Sequence, residues 1–544
     1  VGEAPFLRVP PFPGAAAIRL AGPGDAPPLT DQQVDALGAE IAGVRVGGDY
    51  WGEQPLLPAE PYVLVRAAEP ARPSPDRTQA DGPVVHWSPT RQSGANHQGV
   101  AFQISGAYDP WHLVSGAKLV VAAASDEILL VAALRGVAVE PVGDGPFAEV
   151  GSPAGLRSAL RSHLLAGGTP LDPFSGQPAS IAALVELLAL WRSLIDRNRG
   201  IGSGMGFSRW KRPTVEPLLW SGRPFRFLDR LGDTAAGEAV ATWRSRISPR
   251  TLGVLNQRGV TLVEVEDGFI RSSGLGADCV PPLSIVVDRL GAHFDPSRPS
   301  ELEMLLETAE IGPELLQRAR ALRERIVAGG ISKYAVATET LAPRAGSGRQ
   351  ILVPGQVEDD RSVVSGSRVH SNLELLRRVR AEEPGARILY KPHPDVEAGH
   401  RTGAIPEAAC LAVADEIVRD RPITTLIGEA DAVHVNTSLA GFEALMRGKP
   451  VTTHGSPFYA GWGLTTDLGE ALPRRTRRRS LDELVAATLI LYPRYLDPVT
   501  RLPCSPEVLV DRLAAAAAPK DGMLVRARRA QGSLKRAAGS LLGR

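Results

Sequence analysis

Acidic residues gather at two places where apolar runs end, and each place is suited to acid, base or nucleophile chemistry. Glu266 and Asp267 follow the run 261–265 and precede Gly268, Phe269, Ile270 and Arg271. Strand ends are where α/β proteins present functional groups to a ligand. Two neighbouring carboxylates before a glycine offer a general acid or base beside a second charge, and they equally make a simple turn. Farther on, Gln356-Val357-Glu358-Asp359-Asp360-Arg361-Ser362 follows the run 349–353. That cluster reads either as a carboxylate site or as a solvated loop. In Lys391-Pro392-His393-Pro394-Asp395 two prolines stiffen a segment that carries a cation, an imidazole and a carboxylate after a buried run; a structural histidine fits the same pattern. Asn436-Thr437-Ser438, then Gly441-Phe442-Glu443, place small hydroxyls at a helix start, whose unpaired N–H groups and dipole accept phosphate. Glu443 would face the same cleft and accept hydrogen bonds from a ribose. Gly274-Leu275-Gly276 can bring backbone N–H groups near an anion, and Phe458, Tyr459 and Trp462 either shape a nucleotide pocket or fill core.

The elements that must position these groups alternate in the manner of α/β structure. Strands are expected at 118–124, 261–265, 283–287, 349–353, 388–391 and 432–436, and helices at 127–134, 180–194, 301–329, 373–380 and 441–447. Ser480 and Glu483 form the capping-box signature of a further helix. Residues 1–50 and 67–98, rich in proline and polar residues, read as loops, and 343–348 as a linker between two Rossmann-like halves. The chain also repeats itself: 113–147 resembles 426–458, with Ser125 opposite Ser438 and Arg135-Gly136 opposite Arg447-Gly448, and LDPFSGQPAS at 171–180 resembles LDPVTRLPCS at 496–505. Two matching blocks in the same order indicate a duplicated module. The earlier copy has Val131 where the later has Glu443, so it reads as degenerate, with a structural or acceptor-handling role.

Composition narrows the function classes. At 544 residues the chain exceeds one ordinary domain, and 61 basic against 60 acidic residues exclude a general affinity for nucleic acid or membrane. Three dispersed cysteines exclude a disulfide framework and a cysteine-rich metal site, which fits a reducing cytoplasm. The apolar runs are too short for a spanning helix, so the expectation is a protein neither exported nor membrane-spanning. The stretch 520–544 differs: Lys520, Arg526, Arg528, Arg529, Lys535, Arg536 and Arg544 are interleaved with leucines against one acid, Asp521. That composition suits an amphipathic helix on a headgroup layer or a solvated tail, and the run 474–479 either shares that task or caps a loop.

EDGFIRSSGLG, PPLSIVVD, ISKY, QVEDDRSV, YKPHPD, NTSLAGFEALMRGKPV and PFYAGWG occur in this order within residues 203–510, and the combination resembles the capsule polysaccharide biosynthesis family, which includes the KpsC-type β-Kdo (3-deoxy-D-manno-oct-2-ulosonic acid) transferases of Gram-negative bacteria. The resemblance implies an α/β fold of GT-B type, with an acceptor-side half at 203–345 and a nucleotide-binding half at 349–510, preceded by the degenerate α/β module at 1–195. It implies retaining transfer of β-Kdo from CMP-β-Kdo to a lipid-linked or saccharide acceptor, with no cofactor and no metal. By the same resemblance Asp360 is the nucleophile, Glu266 the general acid/base, His393 and Lys391 steady the donor phosphate, and Ser438, Glu443 and Gln356 contact the nucleotide. Arg271 is a further candidate, as a guanidinium partner for the sugar carboxylate. Expected partners are a CMP-sugar donor, a lipid-linked saccharide acceptor and the inner face of the cytoplasmic membrane, without nucleic acid. KpsC-type proteins carry two complete modules; here one copy keeps the full set, so a single linkage is expected. Two other readings stand beside this one: a family transferase using another sugar nucleotide, and a non-catalytic capsule assembly or export protein.

Overall fold

The computed structural model describes residues 5–24, 28–66, 82–88, 102–230, 239–272, 279–333, 348–399 and 401–515. The stretch 520–544, Gly274-Leu275-Gly276 and most of the 343–348 linker lie outside the described residues. The chain divides into two compact units: 1–200 with 219–225 and 499–502, and 201–218 with 226–498 and 503–544.

In the first unit a short pair, β1 (Ala21–Gly22) and β7 (Thr169–Pro170), accompanies a parallel sheet. That sheet has the order β4-β3-β2-β5-β6, from β2 (Tyr62–Arg66), β3 (Val84–Ser88), β4 (Phe102–Ser105), β5 (Ala117–Ala123) and β6 (Ala138–Val142). Its central strands are apolar runs buried on both faces, as a parallel sheet covered by helices requires. The reading of 1–50 as loop fails at the helix Asp31–Val44, which begins on a reciprocal cap: Gln33 N donates to Thr30 Oγ1 at 3.3 Å while Thr30 N donates to Gln33 Oε1 at 2.9 Å. Likewise β3 falls inside the 67–98 stretch that reads as irregular.

The second unit holds two sheets. One has the order β20-β19-β12-β11-β10-β8-β9, from β8 (Ile201–Met205), β9 (Arg226–Leu228), β10 (Ala239–Thr242), β11 (Thr261–Asp267), β12 (Ser284–Asp288), β19 (Arg494–Leu496) and β20 (Pro503–Cys504). Strands β8 to β11 are parallel, whereas β12, β19 and β20 join antiparallel. The other sheet is wholly parallel in the order β15-β14-β13-β16-β17-β18, from β13 (Gln350–Pro354), β14 (Arg387–Lys391), β15 (Glu416–Ile417), β16 (Ala432–Val435), β17 (Val451–Thr453) and β18 (Thr466–Asp467). Written in chain order this is 3-2-1-4-5-6, the doubly wound arrangement whose strand ends bind nucleotides. The first unit's sheet has the same order through five strands, so the first block of the repeat, 113–147 against 426–458, falls in corresponding parts of two like sheets.

Two features depart from the sequence reading. The segment 494–504 returns to the β8–β12 sheet, so the chain from 349 to 510 is not confined to one half. The single helix expected at 301–329 is two, Glu301–Thr308 and Pro313–Ala328, because Pro313 lacks the N–H that would continue the ladder. The run 474–479 is a strap: Arg474 and Arg475 bond Glu303, Thr476 and Arg477 bond Glu307, and Arg479 bonds the carbonyls of Leu306 and Ala309. Much of its charge is thereby paired within the second unit. Phe458, Tyr459 and Trp462 are buried, with Phe458 packed among Phe269, Phe442 and His293, so these aromatics are core.

Candidate active site

Glu266 stands at the C-terminal end of β11, and the next element is held there by close backbone contact. Gly268 N donates to Ser284 O at 3.0 Å, and a Cβ at Gly268 would lie 2.2 Å from Ser284 Oγ. Glycine is therefore needed for close approach of two strands, so Glu266-Asp267-Gly268 is a fixed strand end. From the other half, Asp360 caps the helix Arg361–Gly366: its Oδ1 accepts from Ser362 N at 3.0 Å and Ser362 Oγ at 2.8 Å. Arg361, the next residue, reaches across to β11. Its Nη1 donates to Glu266 Oε1 at 3.0 Å and its Nη2 to Glu264 Oε2 at 3.1 Å, with the guanidinium 4.9 Å from the Phe294 ring centre. Arg361 thus ties the helix that Asp360 caps to the strand that carries Glu266.

The two neighbouring acids of β11 have opposite electrostatics. Burial pushes the Glu266 carboxyl up to about 7, assisted by the negative charges of Asp267 and Glu264 and opposed by Arg361 and Lys211. Burial also works against Asp267, but Lys211, Arg271 and Lys333 outweigh it and hold that carboxyl below the ordinary aspartate range. Lys211 Nζ lies 3.2 Å from Asp267 and 3.3 Å from the Trp243 ring centre, and its burial brings the ammonium down to about 8. One acid able to exchange a proton near neutrality beside one that stays ionised is the pattern that separates an acid/base from a fixed charge.

His393 feels the charge of Asp360. Its Nδ1 accepts from Asp395 N at 3.1 Å, so the neutral ring carries its proton on Nε2. Burial lowers its basicity, as do Lys333 and Arg401, while Asp395 and Asp360 oppose. Ser438 caps the helix Leu439–Met446, with Oγ accepting from Ala440 N at 3.2 Å. Glu443, on that helix, is buried and accepts from Lys333 N at 2.9 Å, so one of its oxygens holds the chain's own backbone. Three other residues expected to contact the donor also have partners within the chain. Lys391 Nζ donates to the Arg419 carbonyl and lies 3.8 Å from Glu397. Gln356 closes a buried clamp, donating to Thr437 Oγ1 at 3.0 Å and accepting from Thr437 N at 2.9 Å. Arg271 is fully buried, 2.9 Å from Asp267 and bonded to Ser272 Oγ and the Val280 carbonyl. These bonds hold the three side chains in place next to the strand ends and loops that carry them.

A model of the family described as capsule polysaccharide biosynthesis protein matches residues 238–329 and 313–495. The chain is 39% identical over 359 residues to a Neisseria meningitidis protein named capsule polysaccharide modification protein LipA, covering 64% of this chain and 50% of that protein. It is 47% identical over 243 residues to the lipopolysaccharide-processing protein LpsZ of Rhizobium meliloti, covering 43% and 54%. A solved structure described as Thermosulfurimonas dismutans KpsC, beta Kdo 2,4 transferase, is 30% identical, with 58% of this chain and 98% of that chain covered at a TM-score of 0.51. The chain belongs to the capsule polysaccharide biosynthesis family. It spans about half the length of the curated relatives it matches.

For this family member the structure adds residues that the motifs leave unassigned. Arg361 lies inside QVEDDRSV, yet its partners Glu264 and Glu266 are 97 and 95 residues away. Lys211 follows Trp210 after β8, and its signal in the sequence is a lysine next to an aromatic past a strand end. Lys333 belongs to the ISKY segment, and its charge is felt by Asp267, His393 and Glu443 alike. Among the described residues no group of three or more metal-ligating side chains converges, and no helix is long and apolar enough to cross a membrane.

Proposed function

We propose that this chain is a retaining glycosyltransferase that moves β-Kdo from CMP-β-Kdo to a lipid-linked or saccharide acceptor in capsule or surface polysaccharide biosynthesis. The observation that supports it most is Arg361, adjacent to Asp360 in the chain and bonded to Glu266, whose carboxyl burial pushes up to about 7. In the proposed reaction an oxygen of Asp360 attacks the anomeric carbon as the bond to the phosphate oxygen breaks, and CMP leaves with the electron pair. The acceptor hydroxyl then attacks the same carbon, Glu266 takes its proton, and the bond to Asp360 breaks. Two displacements at one carbon restore its configuration. The Nε2–H of His393 is suited to donate to the departing phosphate, and the cations whose charge reaches it are Lys333 and Arg401, with Lys391 on the same segment a further candidate for the phosphate. Ser438 and Glu443 remain the nucleotide-side candidates.

The decisive experiment incubates purified protein with CMP-Kdo, generated in situ, and Kdo-terminated synthetic acceptors, followed by mass spectrometry. Product one Kdo residue heavier supports the proposal; no product with CMP-Kdo but product with another sugar nucleotide replaces the donor assignment. Glu266→Gln given donor alone should accumulate an adduct on Asp360. We also propose peripheral membrane attachment through 520–544, each basic residue near an anionic surface contributing about 1 kcal/mol. Deleting 520–544 should abolish salt-sensitive co-sedimentation with phosphatidylglycerol vesicles, and unchanged binding would remove the tail from that role.

A further inference from the structure

At the C-terminal ends of β10 and β12, beside the middle of β11, lies a cavity of about 180 Å³ whose walls include Arg244, Arg289, Arg298, Asn256 and Glu264. It is smaller than the roughly 300–1,000 Å³ of sites that enclose drug-sized ligands, so it suits one sugar-sized group rather than a nucleotide. Its charge is unbalanced. Arg244 Nη1 donates to Glu264 Oε1 at 2.7 Å, and Arg298 Nη2 donates to the same oxygen. The other oxygen of Glu264 is taken by Arg361. One buried carboxylate therefore bonds three guanidiniums, of which Arg361 is shared with Glu266, and the bonds to it use one N–H of each, out of five that a guanidinium carries. The second acid in the wall, Asp288, is occupied by the backbone N–H groups of Leu290, Gly291 and Glu301 and by the Tyr492 hydroxyl, at 2.7 to 2.8 Å. Leu252, Leu262 and Leu290 give the same cavity an apolar side. An arginine fork opposite an apolar wall complements a carboxylate carried on a sugar ring, whereas a bare oxyanion would leave the apolar wall without a partner.

We propose that this cavity binds the carboxylate of a sugar acid, held by Arg244 and Arg298, and that in the transferase this is where an acidic acceptor residue sits. The acceptor role rests on the reading under Proposed function; the binding does not. Glu264 and Glu266 are two residues apart on one face of β11, roughly 7 Å along the strand, so a sugar in the cavity has its neighbouring hydroxyls near the base. Arg361 spans the same two carboxylates, which ties occupancy of the cavity to the setting of Glu266.

The test measures binding of methyl β-D-glucuronide and of the methyl glycoside of Kdo to the full chain by titration calorimetry, with methyl β-D-glucoside as the neutral control and inorganic phosphate as a bare anion. Both acids should bind, the glucoside should not, and phosphate should bind at least tenfold more weakly. Arg298→Gln and, separately, Asn256→Leu, which alters no charge, should each weaken acid binding at least tenfold while circular dichroism melting shows a folded chain. No acid binding by the wild type, equal binding of the glucoside, equal binding of phosphate, or acid binding unchanged in whichever variant folds would overturn the site. Acid binding that behaves as expected in a protein that transfers no sugar would leave the site standing and remove the transferase reading.

Discussion

Asp360 carries two tasks on one side chain, capping the helix Arg361–Gly366 through Ser362 and, in the proposed reaction, attacking the sugar. Asp360→Ala removes both, and loss of such a cap alone costs about 1 kcal/mol. Asp360→Asn separates them, because the amide oxygen still accepts from Ser362. Asp360→Asn should melt within a few degrees of wild type and lose at least about a thousandfold in turnover, on the order of 4 kcal/mol of barrier, measured by product mass spectrometry. Turnover above a tenth of wild type would dismiss Asp360 as nucleophile. Glu266 must be ionised to accept the acceptor's proton, so kcat/KM should fall as pH drops through about 7. Arg361 favours the ionised form, opposing burial; Arg361→Gln should therefore move that acid limb to higher pH, and a limb that stays or moves down would show that Arg361 does not govern Glu266. Arg361, Lys211 and Lys333 were not legible as site residues, since their significance lies in partners far along the chain. Lys391 and Arg271 were legible as cations after strands, but only packing determines where a long side chain ends.

Among the elements, the strap 474–479 shows how a run of like charge acquires a structural role. Arg475 is buried against Glu303 at 2.9 Å and donates to the carbonyls of Pro457 and Ala460, joining the strap to the helix Glu301–Thr308 and to the PFYAGWG segment. Removing one partner of a buried pair strands the other charge, at about 3–5 kcal/mol. Glu303→Ala should lower stability by about 3 kcal/mol in urea unfolding, and adding Arg475→Met should recover a large part of it. A single variant within about 0.5 kcal/mol of wild type would mean that water reaches Arg475. The helix starts at Ser480 and Ser438 are readable from the sequence because caps act within a few residues, and the break at Pro313 is a signal of the same local kind, whereas the strap's ion pairs join segments about 170 residues apart.

Across the whole molecule, the repeat joins two sheets of the same strand order with unequal loops. In the first unit Glu127 accepts from Arg8 at 2.6 and 2.9 Å, and Asp126 pairs with Arg66 at 2.8 Å, so the loop opposite Ser438 is closed by its own ion pairs. We propose that this unit holds no donor site. Ser125→Ala and Glu127→Ala should leave CMP affinity within twofold, while Ser438→Ala weakens it; equal losses on calorimetry would restore a donor site to the first unit. What the sequence determined by itself was whatever depends on local pattern: strands ending in carboxylates, capped helices, the duplication, and the ordered motifs that mark the family. What only the tertiary structure decided was which charges meet. Arg361 finds Glu266, three guanidiniums converge on Glu264, Lys391 turns to the Arg419 carbonyl, and the strand pair at 494–504 returns to the earlier sheet. The reason is physical: hydrogen-bond caps and apolar periodicity are set by neighbours in the chain, but burial and pairing of charge are set by whichever distant groups the packed sheets bring within about 3 Å.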